Sequence, residues 1–211
     1  MRRLVLAFAL ACLAAPAQAQ SIDVARIAVY DRAAHSQTVT ECDRLAAHPD
    51  DPDKVAPGVA QEAVDLARAV PACQAAVRAD PTNPRLHYQL ARTLGYSNRH
   101  AEAAPNRVAA VQAGYPQALF VVGYIMTTGW NGNATDLCTG AELVRRSALA
   151  GRKAGLLGFP HYVVNGTYAA CPVKKEKAEL LGFLERAKPS VRGFYEDMLL
   201  TNLAARVNAL P

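Results

Sequence analysis

Apolar residues recur along this chain every three to four positions, in short blocks ended by glycine or proline. The strict alternation that marks a strand is hard to find. Over 21–48 the pattern is helical but irregular, with Val24, Ile27 and Ala28 on one face and Cys42, Leu45 and Ala46 on a second short helix. Between His48 and Gly58 three prolines, Pro49, Pro52 and Pro57, stand among Asp50, Asp51 and Asp53. Proline removes a backbone donor and aspartate favours turns, so this stretch reads as a surface connection. Next, Ala69, Cys73, Ala76 and Val77 form one stripe, with Pro71 suited to a first turn and Asp80-Pro81 as the stop. The spacing of Leu86, Leu90, Ala91 and Leu94 predicts a helix over 84–94, stopped by Gly95 and followed by an alanine-rich helix over 101–113. Helices over 117–127 and 139–150 flank a glycine and asparagine loop at 129–133. A further pair, 154–164 and 173–187, flanks Asn165-Gly166 and Cys171-Pro172, and 190–208 reads as a capping helix.

These blocks keep a period. Pro81 and Pro116, both read as helix-ending prolines, lie 35 residues apart, and the triplet Ala-Glu-Leu recurs at 141–143 and 178–180, 37 residues apart. Such periods belong to helical solenoids, because one helix pair cannot bury its apolar face and must stack on the next. Alanine at 91, 103, 110, 118, 141 and 148 lets helix axes approach closely. The low aromatic content, 7%, agrees with closely packed helices.

The first residues predict a secretory signal over 1–19: Met1-Arg2-Arg3, an apolar run from Leu4 to about Ala15, then Pro16 and Ala17-Gln18-Ala19, with cleavage after Ala19. The run is too short to span a bilayer, and Ala9-Leu10-Ala11-Cys12 fits a lipid-attachment box poorly. The remainder divides into an N-terminal helical module with its Pro/Asp connection (20–58), a helical repeat domain (59–189) and the cap (190–211). Losing Arg2 and Arg3 with the leader leaves 21 basic against 18 acidic side chains, a net charge of +3, which is no nucleic-acid signature. Acidic residues crowd the first third, while Arg145, Arg146, Arg152, Lys153, Lys174, Lys175 and Lys177 form a later basic cluster suited to an anionic surface or to solvated helix faces. Export into an oxidising compartment turns Cys42, Cys73, Cys138 and Cys171 into two bridges, and their spacing leaves all three pairings open.

At this point the residues resemble the tetratricopeptide and Sel1-like repeat families. Over 84–114, Leu90, Ala91, Leu94, Ala103 and Ala110 fall at tetratricopeptide packing positions, although Arg107 stands where a large aromatic is usual. Over 118–151, the order Ala118, Gly123, Gly129, Asp136, Ala141, Ala148, Gly151 is similar to a Sel1-like repeat, with Val144 and Arg145 in place of its aromatic pair. The segments Cys42-Asp43-Arg44-Leu45-Ala46-Ala47-His48-Pro49, Ala72-Cys73-Gln74-Ala75-Ala76 and Arg85-Leu86-His87-Tyr88-Gln89-Leu90 look like the leader module of exported bacterial Sel1-type proteins, which implies a Cys42–Cys73 bridge. The resemblance implies an all-α, right-handed solenoid of antiparallel helix pairs. Pro105 and Pro160 depart from it, each falling inside an expected helix. Stacked repeats bring the Cys138 and Cys171 loops to one edge and so pair them.

Catalytic motifs are absent: there is no HExxH, GxSxG, phosphate loop or CxxC. His35, His48, His87, His100 and His161 are scattered singly, so no metal or cofactor site is expected. A hydrolase built on Cys171 and His161 needs a free thiolate, which a bridge removes. Trp130, alone of its kind in a turn-forming loop, suits a binding anchor or a ring tucked between repeats. Tyr88, Tyr96, Tyr115, Tyr124, Tyr162 and Tyr168 suit either a groove or core packing, with packing favoured. The expected binding surface is Trp130, Asn131, Tyr168, Arg145, Lys174 and Lys175, and the expected role is non-catalytic contact with another exported protein. Binding to an anionic wall polymer and an unrecognised hydrolase are the rivals.

Overall fold

A computed structural model describes residues 22–130 and 133–211. Among these residues there are nine α-helices and no strand: α1 (Glu41–Ala46), α2 (Leu66–Ala79), α3 (Pro84–Tyr96), α4 (His100–Gln112), α5 (Pro116–Thr128), α6 (Leu137–Leu149), α7 (Lys153–Val164), α8 (Lys177–Ala187) and α9 (Gly193–Asn208). Each packs against its neighbour in the chain, and α3 also meets α1, as α9 meets α7. The leader expected at 1–19 lies outside the described residues, as does Asn131.

Local chemistry explains most of the boundaries. Pro84 and Pro116 open α3 and α5 at the position where a missing N–H costs nothing, so Pro116 begins a helix rather than ending one. Thr40 and Asp43 close a capping box on α1, and Asp65 and Asp136 cap α2 and α6. Helix α2 starts at Leu66, earlier than the Pro71 signal implies, and carries Pro71 inside. Pro105 and Pro160 likewise sit within α4 and α7. Helix α3 runs through Gly95 to Tyr96, while 173–176 stays outside α8.

Two corrections concern the N-terminal part. The irregular helix expected around Val24, Ile27 and Ala28 is an extended strap with 3-10 turns at Val24–Arg26 and Arg32–Ala34, whereas the second short helix, with Cys42, Leu45 and Ala46, is α1. The strap's backbone finds partners elsewhere: Ala28 donates to the Gln112 carbonyl at 2.8 Å, and Arg146 donates to the Ile27 carbonyl at 3.3 Å. Tertiary contacts thus satisfy groups that a helix would satisfy internally. The second correction is the Pro/Asp connection, which is not wholly a surface loop. Asp51 is fully buried and accepts a 2.7 Å hydrogen bond from the Tyr115 hydroxyl.

Three apolar clusters follow the chain: α1 to α4, α4 to α6 under the strap, and α6 to α9. Disulfides staple the first and the last, joining Cys42 of α1 to Cys73 of α2 and Cys138, in the first turn of α6, to Cys171 before α8. In the middle, α5 crosses α6 glycine on glycine. A Cβ at Gly123 would lie 2.8 Å from Val144 Cγ2, and one at Gly140 would lie 2.7 Å from Thr127 Oγ1. Only missing side chains allow this approach. Asp43 and Arg85, 0% and 2% exposed, form a 2.8 Å ion pair that also ties the strap carbonyls of Ser36 and Thr38 to α3. At the far end, α9 leaves Phe194, Tyr195, Met198 and Leu199 exposed, in contrast to the polar outer face of a solenoid cap.

Candidate functional site

Helix α3 puts Tyr88, Arg92 and Tyr96 on one face by their four-residue spacing, and this face looks across a cavity of about 300 Å³ at α5. Helix α5 contributes Phe120, Val121, Tyr124 and Ile125. Helix α4 contributes Arg107 and His100, the Pro/Asp connection His48, and the end of α5 leads to Trp130. The described lining holds five aromatic rings, two arginines and two histidines, but no carboxylate, hydroxymethyl or thiol.

Each cation of the cavity has a different standing. Arg92 is consumed by the fold: it donates to the carbonyls of Ala46, Ala47 and Val59 at 2.9, 3.1 and 2.7 Å and to the Tyr96 hydroxyl at 3.1 Å. It thereby fastens the connection onto α3. Behind the wall, Arg152 donates to Gln117 at 2.7 Å, Gln117 donates to the Tyr88 hydroxyl at 3.1 Å, and the Arg152 guanidinium lies 5.1 Å from the Phe120 ring centre. Burial pushes the Tyr88 hydroxyl well above the ordinary tyrosine range. Burial, and then Arg92 and Arg152, bring His48 down to about 4. Its Nδ1 accepts from the Asp50 amide at 3.1 Å, so its proton sits on Nε2 and the ring is neutral at physiological pH.

Arg107 stands apart. Seven arginines among the described residues are buried or partly buried, and Arg107 alone reaches no carboxylate, carbonyl, hydroxyl or amide oxygen. Burial without compensation lowers its pKa. Its terminal nitrogen passes over Gly95, where a Cβ would lie 3.1 Å away. The Nδ1 of His100, in the same lining, is also buried without a partner among the described residues.

Of the surface expected from the sequence, Trp130 lines this cavity and is 42% exposed. Tyr168 is buried, with its hydroxyl 2.8 Å from Thr127 Oγ1. Arg145 is held by Glu179 at 2.7 Å, and Lys174 is paired with Glu176. Lys175 donates to the carbonyls of Tyr168, Ala169 and Cys171. The tyrosines divide between both expected roles: Tyr96 and Tyr124 line the cavity, Tyr88 lines it while buried, and Tyr115 and Tyr168 belong to the core. Arg92 and Phe120 carried no sequence signal, and His48 stood only among the singly scattered histidines and in the segment that resembles a leader module. Arg107 did, as the cation standing where the resemblance places an aromatic.

The described lining holds no serine, threonine or cysteine side chain, and Cys171 is bonded to Cys138. Among the described residues no cluster of side chains suits a metal ion, and no helix is long and apolar enough to cross a membrane. The fold and cavity define an all-helical, doubly disulfide-bonded chain with an aromatic, basic cleft between consecutive helices. No family model, curated protein or solved structure matches the chain.

Proposed function

We propose that this chain is an exported, non-catalytic helical-repeat protein of the tetratricopeptide or Sel1-like kind, which binds another exported protein through the cleft between α3, α4 and α5. The cleft itself carries the reading: an aromatic and apolar concavity with few, positioned polar groups is what recognition of a side chain requires. Neighbour-on-neighbour packing and the glycine crossing of α5 and α6 support a right-handed solenoid of helix pairs. Two disulfides point to an oxidising environment and, with the leader expected over 1–19, support the periplasm or the exterior as the place of work. The rival reading, an anionic wall polymer on the basic cluster, draws less support, because Arg145, Lys153 and Lys174 each face a glutamate. Crosslinking in the native envelope fraction tests the proposal, comparing the wild-type chain with Val121→Trp, which fills the cleft. A specific protein captured by the wild type, rebinding it when purified and lost with Val121→Trp, is the expected outcome. Absence of any specific partner, or equal capture by both forms, overturns it.

A further inference from the structure

Helix α9 carries the densest exposed apolar surface among the described residues. Of the nine large hydrophobic side chains that stand exposed there, four fall on this one helix: Phe194 and Tyr195, 73% and 80% exposed, with Met198 and Leu199. Steps of one, four and five residues set them on a single face. Leu200, Leu203 and Val207, on the other side, are buried in the cluster that joins α9 to α7 and α8. Helix α9 therefore has two apolar faces, and the core uses one of them.

We propose that the second face pairs with the same face of a second copy of this chain, the two α9 helices running antiparallel about a twofold axis at Met198. First, the area suffices. Large apolar and aromatic side chains cover roughly 150–250 Å² each, so these four exposures offer roughly 450–500 Å² per copy. A twofold pair buries about 1,000 Å² from them alone, which is where specific interfaces begin. Second, the sizes match along the helix. Phe194 and Tyr195 stand at one end of the face, and the exposed Asn202 and Ala205 continue it at the other, with Met198 midway between Phe194 and Asn202. Antiparallel pairing about Met198 lays the aromatic end of each helix on the small end of the other. Phe194, Met198, Asn202 and Ala205 follow one another by three or four residues, the spacing of a ridge that seats in the groove of a facing helix. A twofold contact uses one patch twice, so a single stripe serves both copies.

Third, the charges favour protein over lipid. An anionic membrane surface calls for free cations beside the stripe, and those present are spent within the chain. Lys188 pairs with Glu185 and Lys153 with Glu196. The Arg192 guanidinium donates to the carbonyls of Pro189 and Val191, and Arg206 donates to the Val164 carbonyl and to Asn165 Oδ1. Because α9 rests on α7 and α8 while the cleft belongs to α3, α4 and α5, the pairing occupies neither copy's cleft and makes the assembly bivalent.

Analytical ultracentrifugation of the oxidised chain over micromolar to submillimolar concentrations tests the assignment, with thermal melts of each form. The wild type should dimerise reversibly. Tyr195→Asp should weaken the dimer by about thirtyfold at an unchanged melting temperature. Ala205→Trp, which fills the small end of the face, should weaken it as well, and Val29→Asp, at an exposed valine of the strap, should leave it unchanged. A wild type that stays monomeric throughout, a dimer equally strong in Tyr195→Asp, or equal weakening by Val29→Asp overturns the proposal. An Ala205→Trp dimer of wild-type strength overturns the antiparallel pairing. Vesicles of phosphatidylcholine and phosphatidylglycerol supply the last arm: a monomeric wild type that sediments with them, and is released by Tyr195→Asp, assigns the face to a lipid surface and overturns the pairing.

Discussion

Replacing His48 by Asn removes a titrating group from the wall of the cleft while keeping an acceptor for the Asp50 amide, so it isolates the electrostatic role of one ring. In the folded chain burial and the neighbouring Arg92 and Arg152 bring His48 down to about 4, against 6.5 for a free histidine, and Asp50 opposes the shift only in part. Between those two values the unfolded chain binds the proton and the folded chain does not. Stability is therefore full above pH 6.5 and falls as pH drops through the window toward 4. At pH 5 the linkage amounts to about 2 kcal/mol, and partial solvent access at the ring reduces it to roughly 1 kcal/mol. Asp51 works in the opposite sense, since burial raises its pKa and its proton is held more tightly in the folded state, but it is common to both proteins and cancels. Urea unfolding with both disulfides intact, at pH 7.5, 6 and 5, gives the difference between wild type and His48→Asn. The two should differ little at pH 7.5, and the variant should gain about 1 kcal/mol relative to wild type by pH 5. A difference that stays flat over this range refutes the assignment of His48 as a buried neutral ring.

Two further outcomes follow from the packing. Gly140→Ala should destabilise by about 1–3 kcal/mol in thermal melts, because its Cβ meets Thr127 Oγ1 and the Gly123 carbonyl, and Thr127 is itself held by Tyr168. Gly182→Ala in α8, with open space around the new methyl, should stabilise by about 0.5–1 kcal/mol, so a shared sign would count against the α5–α6 crossing. Asp43→Ala leaves Arg85 buried without its partner and should cost about 3–5 kcal/mol, whereas Asp43→Leu combined with Arg85→Met should recover most of that. A double variant no more stable than the single one would show that the pair's worth lies in the hydrogen bonds to the strap rather than in its charge.

Helices α3 to α7 were legible in the sequence because their signals are local. A 3.6-residue apolar stripe, a proline at the first turn and a glycine at the stop act within a few residues, so Leu86, Leu90 and Leu94 locate α3 without knowledge of the rest. Periodicity failed where partners come from afar. The strap over 22–40 has apolar residues at helix-like spacing, yet Gln112, Arg146 and Arg85 take its backbone groups, and hydrogen bonds to residues far along the chain leave no local pattern. Asp51 reads as a turn former, and only the position of Tyr115 makes its burial tolerable.

The candidate site divides in the same way. Composition and motif by themselves determined an all-helical chain whose cysteines form bridges, and they marked Trp130 and the tyrosines as candidates for a groove. Tertiary structure decided which of them meet. His48, Arg92, Arg107 and Tyr124 come from four different segments, and the cleft exists only where α3, α4 and α5 pack. The same holds for charge. Arg92, Arg145 and Arg107 are alike in the sequence, and the fold pairs the first two with oxygen acceptors while leaving the third without one among the described residues, because a side chain's partner is set by its surroundings in space rather than along the chain.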